Sequence, residues 1–203
     1  MKFLNISVFL LAILLTNCVS KPKVVDDGSD KGVWQGNVRI HDADKGKKIS
    51  GYVTWTSESQ KNRLRVDVQA VFGIPVATFI LDGDQADLWL HQESKHYTSK
   101  SPAKLFANLV RFPLNPKIFF SLLNKNGQFP RPWKCLRQKQ RVDCDNVRDK
   151  VSLNLKNQSE HRRKIEIRQG GKALAMALTR SKVEVLDKQF KVRKISGYKQ
   201  ISM

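Results

Sequence analysis

The chain has 203 residues, with 37 Lys and Arg against 18 Asp and Glu, for a formal net charge of +19. That length supports one domain with its own core and argues against two. Beyond the first residues, no stretch has the run of about 20 apolar residues that a membrane-spanning helix requires.

Met1-Lys2 is a short positive start, and Phe3 to Leu15 is apolar apart from Asn5 and Ser7. This is the size of a signal-peptide core rather than a membrane span. The segment ends Leu15-Thr16-Asn17-Cys18, which resembles a bacterial lipobox, although Asn17 stands where that pattern has a small residue. The reading is a signal peptide over 1–17 and a lipidated Cys18 as the first mature residue. The alternative is an ordinary signal peptide with an incidental cysteine. Val19, in place of aspartate, favours the outer membrane over the inner in the sorting scheme this resembles. Several acyl chains on one cysteine meet the rule that stable anchoring takes more than one. Residues 18–32 then form the lipidated cysteine and a flexible tether of Lys, Pro, Asp, Gly and Ser, and 33–203 form the domain.

In such a compartment a basic chain meets lipid headgroups, lipopolysaccharide and acidic polymers rather than nucleic acid. Its cations are spread along the sequence, so a solvated basic surface competes with a dedicated patch. Cys135 and Cys144 remain once Cys18 is assigned to lipid. An even pair in an oxidising compartment reads as a structural disulfide, across neighbouring strands or at a loop base, with two free thiols as the alternative.

From Val33 the apolar period is two. Trp34, Gly36, Val38 and Ile40 form one strand face; Ile49, Gly51, Val53 and Trp55 a second; Leu64, Val66 and Val68 a third. Strands Val76–Leu81 and Ala86–His91 follow around the turn Asp82-Gly83-Asp84, giving a meander of antiparallel hairpins. Ser101-Pro102 and Asn115-Pro116 are helix-start signals. They open two short apolar stripes, Leu105, Phe106, Leu109, Val110 and Ile118, Phe119, Leu122, Leu123, joined by Arg111-Phe112-Pro113-Leu114. Further strands are expected at Trp133–Leu136, Val142–Asp145, Val151–Leu155, Lys164–Arg168, Ala173–Thr179, Lys182–Leu186 and Phe190–Ile195, with hairpin turns at Gly170-Gly171 and Asp187-Lys188. The expected fold is mainly β: a curled antiparallel sheet or half-barrel of about 10–12 strands, with two or three short inserted helices as a lid or plug.

Between two of these strands, Val71-Phe72-Gly73-Ile74-Pro75 is an apolar loop tip, where polar residues are the norm. Ile49–Trp55 leads into a tryptophan, Arg63–Leu81 is strand, apolar turn and strand, His96-Tyr97-Thr98 precedes the first helix, and Phe112-Pro113-Leu114-Asn115 leads to the Leu122-Leu123 helix. That order and spacing over 49–130 give a resemblance to the LolA/LolB lipoprotein-localisation family. It implies a half-barrel with a helical lid, a cavity for the acyl chains of lipoproteins in transit, and delivery of cargo to the outer membrane. Phe72 falls at the position of the family's protruding apolar residue, with Val71, Gly73 and Ile74 around it. Candidate cavity residues are Val53, Trp55, Val66, Val68, Phe79, Leu109, Phe119 and Leu122. Acylated lipoproteins handed over by a LolA-like carrier, and outer-membrane lipid, are the implied partners. A monomer is expected, with no nucleic acid partner.

Enzyme chemistry has little in its favour. His41, His91, His96 and His161 are scattered, with no neighbouring ligand cluster. There is no GxSxG and no phosphate-cradling glycine loop. Asp82, Asp84 and Asp87 read as a turn rather than a calcium site. No cofactor, metal or catalytic residue is expected. The four tryptophans Trp34, Trp55, Trp89 and Trp133 read as core or cavity lining rather than a stacking platform. His161-Arg162-Arg163-Lys164 reads as a solvated hairpin edge, with a headgroup site as the runner-up. A second reading of the whole chain is a structural envelope lipoprotein with a filled half-barrel and a basic face for an anionic polymer; a third is a carrier of another lipid.

Overall fold

The structure, a computed structural model, describes residues 31–124, 129–191 and 196–203. The expected signal peptide, Cys18 and nearly all of the expected tether lie outside the described residues.

The period-two segments become one twelve-stranded sheet. Its strands are β1 Lys31–Asp42, β2 Lys47–Glu58, β3 Arg63–Gln69, β4 Pro75–Asp82, β5 Gln85–Leu90, β6 Lys95–Ser99, β7 Lys134–Arg137, β8 Arg141–Asn146, β9 Val151–Ser159, β10 Arg162–Gln169, β11 Lys172–Ser181 and β12 Lys199–Ser202. They lie in the order β12-β6-β5-β4-β3-β2-β1-β11-β10-β9-β8-β7. The sheet is mainly antiparallel, curled and unclosed. Two runs of hairpins meet in the middle, where β1 pairs with β11 from Val33↔Ser181 to Asp42↔Lys172. Gly36 sits in that seam. A Cβ there would lie 1.8 Å from the Ala177 carbonyl oxygen, so only glycine allows the two backbones to come this close.

Two helices fill the concave side: α1 Pro102–Val110 and α2 Ile118–Leu123. Pro102 opens α1, and the N–H of Leu105 donates to the Ser101 carbonyl, although the Ser101 hydroxyl makes no cap. Asn115 Oδ1 accepts the Lys117 N–H at 3.0 Å in the turn leading to α2. All four apolar residues of the second stripe are buried. They join one cluster with the inward faces of the strands, including Leu153, Ile165, Ile167, Leu174, Met176 and Leu178.

The expectations for Lys182 to Lys191 fail, for one reason. Lys182–Leu186 is not a strand, and Asp187-Lys188 opens a 3-10 turn, Asp187–Phe190, instead of a hairpin. After β11 the chain leaves the sheet and crosses the outer face of β3 and β4. Phe190 and Lys191 are therefore not the start of a strand, and 192–195 lie outside the described residues. Phe190 is buried, but outside the main core, in a hollow with Ile80. The chain then adds β12 parallel to β6 at the sheet's edge, where Tyr198 hydrogen-bonds His91 Nδ1 at 2.8 Å. The crossover explains the single parallel pair: a hairpin would have returned antiparallel.

An ionic node ties this strap to the sheet. The Glu58 side chain, 1% exposed, lies 2.8 Å from Lys31 and 3.3 Å from Lys61, and Arg63 binds Asp187 at 2.9 Å. Burial pushes the Glu58 carboxyl up, but hydrogen bonds and charge from Lys31 and Lys61 outweigh it and hold the group below its ordinary value. A depressed carboxylate contributes stability above its unfolded pKa of about 4.3, and the contribution fades as pH falls through the folded value. Glu58→Gln is expected to lower the unfolding free energy by about 1–3 kcal/mol at neutral pH. Denaturant titrations at descending pH should show the two proteins converging once Glu58 is protonated in the fold.

Cys135 and Cys144 face each other across β7 and β8 and form a disulfide. Strand β7 is a four-residue edge with every residue exposed, so it has little burial of its own to hold it. Closing a ring of this size stabilises by about 2–3 kcal/mol in the chain-entropy account. Replacing both cysteines with alanine should remove about that much in a denaturant titration.

Candidate functional site

Because neighbouring strands run antiparallel, their turns alternate between the two ends of the sheet. One end gathers five turns, at 43–46, 71–74, 91–94, 147–150 and 170–171. The β3–β4 turn is the apolar one. Phe72 is 97% exposed, and Val71 and Ile74 are also exposed. Phe72 has φ +65° and Gly73 φ +74°, a left-handed pair that closes a tight turn. The Ala70 N–H donates to the Ile74 carbonyl at 2.8 Å and the Gly73 N–H to the Ala70 carbonyl at 3.3 Å. Positive φ is an outlier for an aromatic residue. Such conformations cost about 1–3 kcal/mol and persist where the surroundings impose them. Here the turn holds Phe72 away from its own strands.

The interior holds the candidate cavity residues. Val53, Trp55, Val66, Phe79, Phe119 and Leu122 are buried, and Val68 and Leu109 are partly so. They are gathered in one place, with side chains packed against each other. Phe119 of α2 stacks on Trp55 at 4.2 Å between ring centroids. Phe106 of α1 lies edge-on to Phe119 at 5.5 Å and to Phe79 at 5.0 Å. At this point the helices plug the shell. One polar group is out of place here: the Trp55 indole N–H is enclosed and has no acceptor among the described residues. A buried donor without an acceptor is uncommon and calls for a partner.

Two of these contributors were not foreseen. Phe106 lay on the predicted α1 stripe, but stripes of helix apolar residues do not rank their members. Arg163 lay in a run read as a solvated edge. It instead turns inward from β10, is buried, donates to the Leu122 carbonyl at the end of α2, and places its guanidinium 4.6 Å from the Trp34 ring. The period-two pattern contained the signal, since Arg163 alternates in phase with Ile165 and Ile167. The other tryptophans divide: Trp34 joins the core and Trp133 packs against it, while Trp89 lies outside the cluster, stacked on His96 at 4.4 Å. His96 Nε2 is 2.8 Å from Asp87 Oδ1. No group of three His, Cys, Asp or Glu is arranged to hold a metal among the described residues.

At the same end as the Phe72 tip, a cleft of about 200 Å³ opens between the β1–β2 hairpin and the C-terminus of α1. Arg111, in the left-handed conformation that ends α1, stands at its edge, and the buried Phe112 forms part of its floor.

No protein-family model matches the chain, and no curated protein matches it. Among solved structures it is similar to an uncharacterized conserved protein from Thermus thermophilus, at 8% identity and a TM-score of 0.44, over 85% of this chain and 91% of that one. A likeness at that level carries no inference about function.

Proposed function

We propose that the protein is a lipid-anchored receptor that takes the acyl chains of lipoproteins into its half-barrel and helps insert the cargo into the outer membrane. The observation that carries this reading is the almost fully exposed Phe72, held outward on a hairpin at one end of a shell with an apolar interior. An exposed aromatic tip is unfavourable in water and favourable in a bilayer interface, where burying a Phe side chain is worth about 1.5–3 kcal/mol. A tether at Cys18 keeps that tip near the membrane and raises its local concentration there.

No covalent step is required. Acyl chains enter as α2 lifts and Phe119 leaves Trp55, and they leave because the bilayer holds them better than the shell does. An ester or amide carbonyl of the cargo gives the Trp55 N–H its missing acceptor. A carrier of the LolA type is the proposed donor. The supporting test is cellular: depletion of the protein should leave other lipoproteins at the inner membrane or in the periplasm. Correct localisation of all of them after depletion would reject the role.

The close packing of Phe106, Phe119 and Trp55 favours the second reading, a structural envelope lipoprotein with a filled shell. The two separate on whether an acylated peptide enters the interior.

A further inference from the structure

The cleft beside the Phe72 tip is lined by apolar and basic side chains, together with Asp42 and the exposed His41. Its floor is apolar: Ile40, Ile49 and Phe112. Phe112 belongs to the main core, Ile40 packs against it, and Ile49 is 59% exposed. Its walls are cationic: Lys45 and Lys47 from the β1–β2 hairpin, Arg111 from the end of α1, and Lys172 from the start of β11. These four come from three separate parts of the chain, and none is ion-paired among the described residues. Asp42 is the one carboxylate in the lining, and one of its oxygens is enclosed without a hydrogen-bond partner. Asp44 lies outside the cleft, towards Gly171. Four cations against one carboxylate, over an apolar floor, suit a ligand with an anionic head and an apolar body.

We infer that this cleft binds the phosphate headgroup and first methylenes of an anionic phospholipid in the bilayer that the Phe72 tip enters. The placement argues for the bilayer as the source. The cleft and the tip share one end of the sheet, and the exposed Val147 sits in another turn of that end. Lys and Arg stems lie along apolar surface while their heads reach the phosphate plane. Arg111 supplies the forked donor that suits a phosphate, and the lysines supply point charge. The site fixes the orientation of the domain, with the mouth between β1–β2 and α1 against the headgroups. The inference rests on the proposal that this end faces a membrane, but not on the identity of the cargo.

The test uses residues 19–203, which lack the apolar leader and Cys18 but keep every described residue, and sedimentation with vesicles. One set is phosphatidylcholine alone; the other contains one-quarter phosphatidylglycerol. The parent should prefer the anionic vesicles. Lys45→Gln, Arg111→Gln and Lys172→Gln together should weaken that binding about hundredfold, taking about 1 kcal/mol per cation near an anionic surface. Their binding to phosphatidylcholine should not change. A control triple at the opposite end and outer face, Lys139→Gln, Lys156→Gln and Lys164→Gln, should retain most of the preference. Equal loss in both triples, or none in the first, overturns the site. Inorganic phosphate at millimolar concentration should not compete; full competition would assign the cleft to free phosphate and overturn the phospholipid. Phe72→Ala should weaken binding to both vesicle types, and if it alone matters, the cleft has no role. Failure to bind acylated peptide would reject the receptor proposal and leave these outcomes intact.

Discussion

Phe119→Ala is expected to lower the unfolding free energy by about 3–5 kcal/mol, the range for removing a buried aromatic ring from a packed core. Phe119 is fully buried, stacks on Trp55 at 4.2 Å and meets Phe106 at 5.5 Å. Its loss removes both ring contacts and leaves a void lined by apolar groups. A typical domain has about 5–15 kcal/mol in hand, so the variant should still fold, and Phe119→Leu provides a milder version. The functional effect runs the other way. An apolar void stays dry and accepts apolar ligands, and an acyl chain no longer has to displace Phe119. The receptor account therefore predicts weaker folding and at least about tenfold tighter acyl binding in one variant. Urea titration reads the first, and displacement of a fluorescent fatty acid reads the second. Lower stability with no gain in affinity would support the filled, structural shell.

Phe72→Ala is expected to do the opposite: unfolding free energy within about 0.5 kcal/mol of the parent, with a large functional loss. Phe72 is 97% exposed, so it contributes almost no burial to the fold. Alanine keeps a Cβ and therefore leaves the positive-φ demand of the turn unchanged. The burial lost at the bilayer is about 1.5–3 kcal/mol, which corresponds to about ten- to hundredfold weaker engagement. Vesicle insertion of a lipoprotein cargo, measured beside a denaturant titration, checks both halves. A stability loss of about 2 kcal/mol or more, on the scale for core residues, would place Phe72 in the fold instead.

The strands with a clean period of two were legible because burial on one face imposes that period. This holds for the faces of Trp34–Ile40, Val53–Trp55 and Leu174–Leu178, while Ile49 keeps the alternation but stays exposed. The helices were legible because Pro102 and Pro116 punctuate apolar stripes that return every third or fourth residue. Strand β6 was not recognised as one, since Lys-His-Tyr-Thr-Ser has no alternating apolar face and pairs with β5 through its backbone. Lys182–Leu186 alternates like a strand, yet Val183 and Leu186 end exposed. Alternation records a preference for pairing, while the path of the chain across the outer face denies it a neighbour. In the site, the apolar tip could be read directly. The outward direction of Phe72 could not, because it depends on the left-handed φ imposed by closing the turn between Ala70 and Ile74. The interior residues could also be named, but the space between them depends on how α2 seats on Trp55, which no periodicity records. The cationic cleft was hidden because Lys45, Arg111 and Lys172 are far apart in sequence and meet only through the β1–β11 seam and the end of α1.

Entry of an acylated peptide into the shell decides between a receptor and a filled structural shell. Residues 19–203, which keep the whole described domain without the apolar leader, would be titrated with a tri-acylated lipopeptide and with its unacylated counterpart, reading tryptophan fluorescence and displacement of a fluorescent fatty acid. The receptor account predicts saturable binding of the acylated peptide alone, with a spectral change that is lost in Trp55→Phe. Absence of binding by the acylated peptide, in a chain that unfolds cooperatively, would contradict it.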